Sequence, residues 1–203
     1  MRARRGVEGT TVKFPKVGKG VATLRVPQTD VTPLNVDFSQ VTATMEDWNA
    51  AEYSDIFMQQ KVNFDERQEL VQVVANAIGR RQDQIILDAL TASGTALTVG
   101  NDIGGTDSNL NVAKLREAKK LLDKNNVPPM DRHILLHANS LASLLSETAV
   151  TSSDFNTVKA LVSGEINTFL GFTFHTLGDR AEGGLAVDGS LDRTLFAYHK
   201  TSM

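Results

Sequence analysis

The stretch ALVSGEINTFLGFTFHTLGD, residues 160–179, constrains this chain most. Gly164-Glu165-Ile166 opens an apolar segment, and Ile166, Leu170, Phe172 and Phe174 share one parity, the pattern of a strand with one buried face. The preceding DFNTVKALV reads as a short helix over Ser153–Val162. No cluster of reactive residues accompanies the segment, so its pattern points to architecture and not to chemistry.

The elements around it follow from periodicity and punctuation. Asn111 to Lys124 predicts a helix on Val112, Leu115, Ala118 and Leu122, ended by Asn125–Pro129. Arg132–His137 reads as a strand, Asn139–Glu147 as a short helix capped by Asn139, and Thr194–His199 as a strand returning toward the preceding domain. Residues 92–108 are rich in Gly, Ser, Thr, Asp and Asn and form the best internal boundary. Before them, Asn63 and Glu66 have capping spacing, and a helix is expected to about Thr91 along Leu70, Val71, Val74, Ala77, Ile78, Ile85 and Ala89. At 1.5 Å per residue it would span roughly 43 Å, interrupted on its polar face by Gly79. Thr44–Gln60 reads as another helix, with Thr44 and Asp47 in cap-like spacing and Met45, Trp48, Ala51 and Ile56 as its apolar positions. Residues 9–43 read as an extended hairpin: Val12 and Phe14 alternate, Pro15–Gly20 turns, and Val21–Val26 returns, followed by a second extended run through Leu34, Val36 and Phe38. Such a ribbon has little apolar surface of its own and should lie on something else.

This order of elements, together with GEINTFLGFTF and the passage from the extended loop to the long helix, resembles the major capsid proteins of tailed bacteriophages with the Hong Kong 97-like fold. The resemblance implies an α+β chain. Its parts would be a residual N-terminal arm (1–8), an extended β-hairpin loop (9–43), a peripheral domain with a spine helix (44–105, joined by 190–203), and an axial domain with a central sheet flanked by helices (106–189). It implies self-assembly as hexamers and pentamers into an icosahedral shell around phage double-stranded DNA, without enzymatic activity or a cofactor. The partners implied are copies of the chain, scaffolding, portal and decoration proteins, and packaged DNA held non-specifically. The places implied are the virion and, during assembly, the host cytoplasm. Family members carry more chain before the extended loop and after the last strand, so a piece of a longer protein is expected here. Some members join a loop lysine to a neighbour's asparagine, but no residue of this chain is assigned that chemistry.

Composition is consistent with this reading. With 203 residues, 41% hydrophobic and 22% charged, the chain is long enough for a core. The absence of cysteine excludes disulfides and thiolate chemistry. No apolar run reaches the roughly 20 residues of a membrane span, and MRARRGVEGT lacks the apolar centre of a signal peptide. A net charge of −3 argues against a dedicated nucleic-acid binder. Charge is nevertheless segregated: Arg2, Arg4, Arg5, Lys13, Lys16, Lys19 and Arg25 face only Glu8 in the first 25 residues, and Glu46, Asp47, Glu52 and Asp55 follow without a basic residue between them. An acidic run of this kind is most often a solvated or interface-facing surface. The sequence therefore predicts that Lys13, Lys16, Lys19 and Arg25 pair with Glu46, Asp47, Glu52 and Asp55 of a neighbouring copy. Gly79 is the expected flex point of the spine helix. The N-terminal arginines face DNA or are a solvated stub.

Catalytic and metal motifs are weak. His133 and His137 have the i, i+4 spacing of a zinc pair on a helix, but in a strand they would stand about 13 Å apart, and no HExxH is present. Gly18 and Gly20, Gly104-Gly105 and Gly183-Gly184 belong to no phosphate-binding motif, and no serine lies in GxSxG. The alternatives are an encapsulin-type cargo shell, another virion component such as a connector or tail subunit, and a small α+β hydrolase or ligand-binding protein with its site in the 92–108 loop. The last would show a concave pocket with convergent polar groups.

Overall fold

The computed structural model describes residues 6, 8–93, 97–147 and 168–202. The arginines at 2, 4 and 5, the expected helix Ser153–Val162 and Gly164-Glu165-Ile166 lie outside the described residues. Apart from Met1 and Arg2, the chain divides into two compact units, residues 3–49 and 50–203.

The first unit is a β-ribbon. Strand β1 (Thr11–Val17) pairs antiparallel with β2 (Phe38–Thr44), from Thr11 opposite Thr44 to Val17 opposite Phe38. The returning strand is thus not Val21–Val26, as expected, but a segment 17 residues later in the same run that carries Phe38. Residues 21–26 form no strand. Pro15 sits inside β1, opposite Gln40, which a two-stranded ribbon tolerates because each strand keeps one open edge.

The helix expected over Thr44–Gln60 is not formed. Thr44 belongs to the ladder, the Met45 N–H donates to Thr10 O at 2.8 Å, and only α1 (Ile56–Gln59) is helical. The cap-like spacing of Thr44 and Asp47 loses to the ladder, and a short helix without a packed apolar face does not sustain itself. Local bonds replace it: Trp48 Nε1 donates to Glu46 Oε2 at 3.0 Å, and Phe57 N donates to Asp55 Oδ1 at 2.9 Å.

In the second unit the long helix α2 runs Glu66–Thr91, 26 residues. Its N-cap is Asp65 and not Asn63, accepting from Gln68 N at 3.3 Å, and Glu66 and Glu69 in the first turn favour the positive end of the helix dipole. The expected single stripe is only partly the covered one. The covered face runs through Glu66, Leu70, Val74, Ala77, Ile78, Arg81 and Gln84, and then shifts to Ile86, Leu87 and Leu90. Val71, Ile85 and Ala89 are exposed.

The core lies around a four-stranded sheet in the order β4 (Thr168–Phe169), β5 (Phe172–Leu177), β3 (Arg132–His137), β6 (Phe196–His199). Helix α3 (Val112–Lys124) is capped by Asn111, whose Oδ1 accepts from Lys114 N at 2.7 Å. Helix α4 (Ala138–Ser146) follows β3 directly, and its cap is His137, not Asn139: Asn139 N donates to His137 Nδ1 at 3.2 Å. Ile134 and Leu136 of β3 and Phe172 and Phe174 of β5 face one way and are buried with Leu110, Val112, Leu115 and Leu144. Each such side chain contributes about 1.5–3 kcal/mol on burial. β3 and β5 are parallel, and β6 is antiparallel to β3, with His133 opposite Tyr198. The last strand therefore takes its ladder partner from β3.

One further expectation is corrected. Ile166, Leu170, Phe172 and Phe174 were to share a strand, but the described part turns at Leu170-Gly171, with φ of 52° and 85°, and Phe169 pairs with Phe172. Two consecutive positive φ angles are the signature of a two-residue hairpin turn matched to strand twist.

Candidate assembly surface

The ribbon unit has a surface without a core. None of its described residues is buried. Leu24 is 94% exposed, Val31 81% and Phe38 79%. In the second unit, Tyr53, Ile56, Phe57 and Phe64 are exposed as well. Apolar side chains exposed in series, and not singly, mark a surface that meets a partner.

Lys13, Lys16, Lys19 and Arg25 are all exposed, and so are Glu46, Asp47, Glu52 and Asp55. None of the eight forms an ion pair with another described residue. Their placement is less uniform than the sequence implies. Lys16 shares a ribbon face with Val12 and Phe14, whereas Lys13 lies on the other face with Pro15 and Val17. Among the acids, Glu46 is engaged by Trp48 and Asp55 by Phe57 N, which leaves Asp47 and Glu52 without such a local bond.

The structure also shows contacts that sequence reading missed. Three consecutive links tie α2 to the loop after β5: Arg80 Nε donates to Glu182 Oε1 at 2.8 Å, Arg180 Nη1 to Asp83 Oδ2 at 3.0 Å, and Gln84 pairs with Gly184. The bond from Arg80 holds the Glu182 carboxyl below the usual carboxylate range. Gly79 stands one residue before this clamp, exposed, with nothing within 4 Å of where a Cβ would be. Arg132 is 2% exposed and donates to Pro128 O, Val127 O and Asp123 Oδ1, closing the turn between α3 and β3. None of these links has a signal in the sequence, because each joins residues through turns whose geometry is not periodic.

The polar loop before α3 is satisfied internally. Asn111 Nδ2 donates to Ile103 O at 2.8 Å, Lys114 Nζ donates to Asn101 Oδ1 and to Ser108 O, and Asn101 Nδ2 donates to Asp192 Oδ2. Burial pushes the Lys114 ammonium below its usual range, against the attraction of Asp192 and Asp102. These described polar groups bond one another and Asp192. His133 and His137 lie on β3; His137 caps α4 with Nε2 3.4 Å from Asp179, and His133 meets His175. No described group of three His, Cys, Asp or Glu is arranged for a metal, and no described helix is long and apolar enough to cross a membrane.

Solved structures with a similar fold come from bacteriophages. The capsid of cyanophage P-SCSP1u is similar over 83% of this chain and 58% of its own, at 19% identity and a TM-score of 0.62. A structure from Mycobacterium phage Che8 is similar over 95% and 68%, at 21% identity and a TM-score of 0.65. The mature capsid of bacteriophage PhiM1 is similar over the same shares at 8% identity and a TM-score of 0.61. The chain thus spans about 58–68% of the length of these proteins. No curated protein sequence matches it. A family model described as phage capsid protein matches residues 1–203, and the chain belongs to that family.

Proposed function

We propose that this chain is the shell-forming part of a major capsid protein, which associates as hexamers and pentamers into an icosahedral shell around phage double-stranded DNA. The observation that carries this reading is the ribbon unit: two strands, no buried residue, and a series of exposed apolar and charged side chains. A surface of this kind is stable as a component of an assembly and marginal alone. The Hong Kong 97-like description fits the parts, with 9–43 as the extended loop, α2 as the spine of a peripheral domain and 106–189 as the axial domain.

In this reading the role is structural and non-enzymatic. The basic ribbon residues Lys13, Lys16, Lys19 and Arg25 meet Glu46, Asp47, Glu52 and Asp55 of a neighbour, where complementary charge sets register and speed of association more than affinity. Repeated heterologous contacts close the shell. Scaffolding, portal and decoration proteins and packaged DNA are the further partners, and the virion and the host cytoplasm the places. Gly79, exposed and one residue before the clamp, is the point at which the helix bends as a shell changes size.

Electron microscopy with mass photometry of the protein from its native particle tests the proposal. Closed shells of uniform diameter are expected. Only small monodisperse particles from the full-length protein would overturn it, and shells filled with protein cargo in place of DNA would favour the encapsulin-type reading.

A further inference from the structure

The exposed side of the central sheet carries a pair that the assembly reading does not use. His133 of β3 and His175 of β5 lie 42 residues apart, yet His133 Nδ1 and His175 Nε2 are 3.0 Å apart. The parallel register places Leu135, and not His133, opposite His175, so the two rings meet diagonally, with centroids 5.2 Å apart. Tyr198 of β6, opposite His133, stacks obliquely on its other side at 5.7 Å.

We propose that His133 and His175 form a two-imidazole site for a divalent transition-metal cation of the nickel, copper or zinc class. Imidazole nitrogen suits these ions. Two nitrogens at about 2.1 Å from one ion and 3.0 Å from each other subtend an angle of about 90° at the ion, that of neighbouring positions in an octahedral shell. The pair is thus already spaced for chelation, and water supplies the remaining ligands on this open side, where His175 is exposed.

Without metal, one of the facing nitrogens carries a proton that the other accepts. Metal binding takes both lone pairs, so that proton moves through solvent to the far nitrogen of its own ring, which has no partner among the described residues. No net charge is lost from the rings, and neither ring is oxidised or reduced. The surroundings favour neutral imidazole at His133: burial first, then the neighbouring His175, Lys200 and His199 hold it below the usual range, against Asp131. Lys200 and His199 also oppose a bound cation and Asp131 offsets them, so the site is of modest strength. His199 itself is engaged through Nδ1 with Thr201.

The result would be a cross-strand clip between β3 and β5. Nickel chloride titrated into the full-length protein by calorimetry, with melting followed in parallel, tests it. Saturable binding of one ion per chain and an upward melting shift are expected. Both should weaken by roughly tenfold or more in affinity for His175→Ala and His133→Gln, since losing a direct ligand costs at least as much as losing a supporting one. His199→Ala should bind at least as tightly as the parent does. His175 is exposed, so its truncation leaves the fold intact and keeps the test decisive should His133→Gln unfold. Absence of saturable binding in the parent, or equal binding by His175→Ala, would overturn the proposal, and neither result bears on shell assembly.

Discussion

Gly184 donates its N–H to Gln84 Oε1 at 2.8 Å while Gln84 Nε2 donates to Gly184 O at 3.2 Å, so a side-chain amide and a backbone peptide unit 100 residues away satisfy each other. Gln84 is 4% exposed, and Gly184 adopts φ of 72°, which glycine reaches without strain. The flanking ion pairs are partly solvated and count for little. Of these polar links between α2 and the loop after β5, the amide pair is the buried one. Gln84→Ala should lower stability by about 1–3 kcal/mol, because it strands a buried N–H and C=O, while Asp83→Ala costs under about 1 kcal/mol. Chemical denaturation of both variants provides the comparison.

Arg132 and Asp123 invite a similar contrast. The arginine is buried but the carboxylate is half exposed, and two backbone carbonyls share the guanidinium. Removal of Arg132 leaves those carbonyls unpaired and a void, so Arg132→Ala should cost about 3 kcal/mol. Asp123→Ala leaves the buried guanidinium its two carbonyl bonds but no counter-charge, so it should cost less than Arg132→Ala but more than an exposed pair would. Equal losses for the two in urea titrations would show that the charge pair, and not the carbonyl bonds, closes this turn.

At Gly79 the space is open and the backbone is ordinary helix. Alanine there should raise the melting temperature, with a gain of up to about 1 kcal/mol. If α2 bends at this point, shells carrying Gly79→Ala should expand more slowly, which time-resolved scattering can follow; unchanged kinetics would remove the flex-point role.

Gly171 behaves in the opposite sense. Its φ is 85°, and the nearest neighbour of an added Cβ, Pro129 O, is 4.0 Å away, so a substitution meets backbone strain and no clash. Gly171→Ala should destabilise by about 1 kcal/mol or somewhat more, read from the shift in denaturation midpoint.

Reversal of Lys13, Lys16 and Lys19 to glutamate should block shell formation and leave the circular dichroism spectrum unchanged, since all three are exposed. Lys13 and Lys16 lie on opposite ribbon faces, so single reversals should differ in effect. Shells of normal yield from the triple variant, by electron microscopy, would exclude the charge-register role.

The sequence by itself determined the elements whose signals are local and periodic: β3 over Arg132–His137, α3 to Lys124, and a long helix ending at Thr91. In each, an apolar period agrees with the residues that start or stop it. Tertiary structure decided the rest. The return strand is 38–44 because ladder pairing depends on which segments meet, and both candidate segments are β-prone. Residues 45–55 are not helical because no apolar surface supports a helix there, and Leu170-Gly171 turns because a strand pairs back on itself. The exposed charges named from the sequence are exposed, but their division between two faces needed the register. The Gln84–Gly184 exchange, the buried Arg132 and the His133–His175 pair were invisible for one reason. Sequence patterns report which face of an element is buried, whereas contacts across 100, 9 or 42 residues depend on how finished elements are placed beside one another.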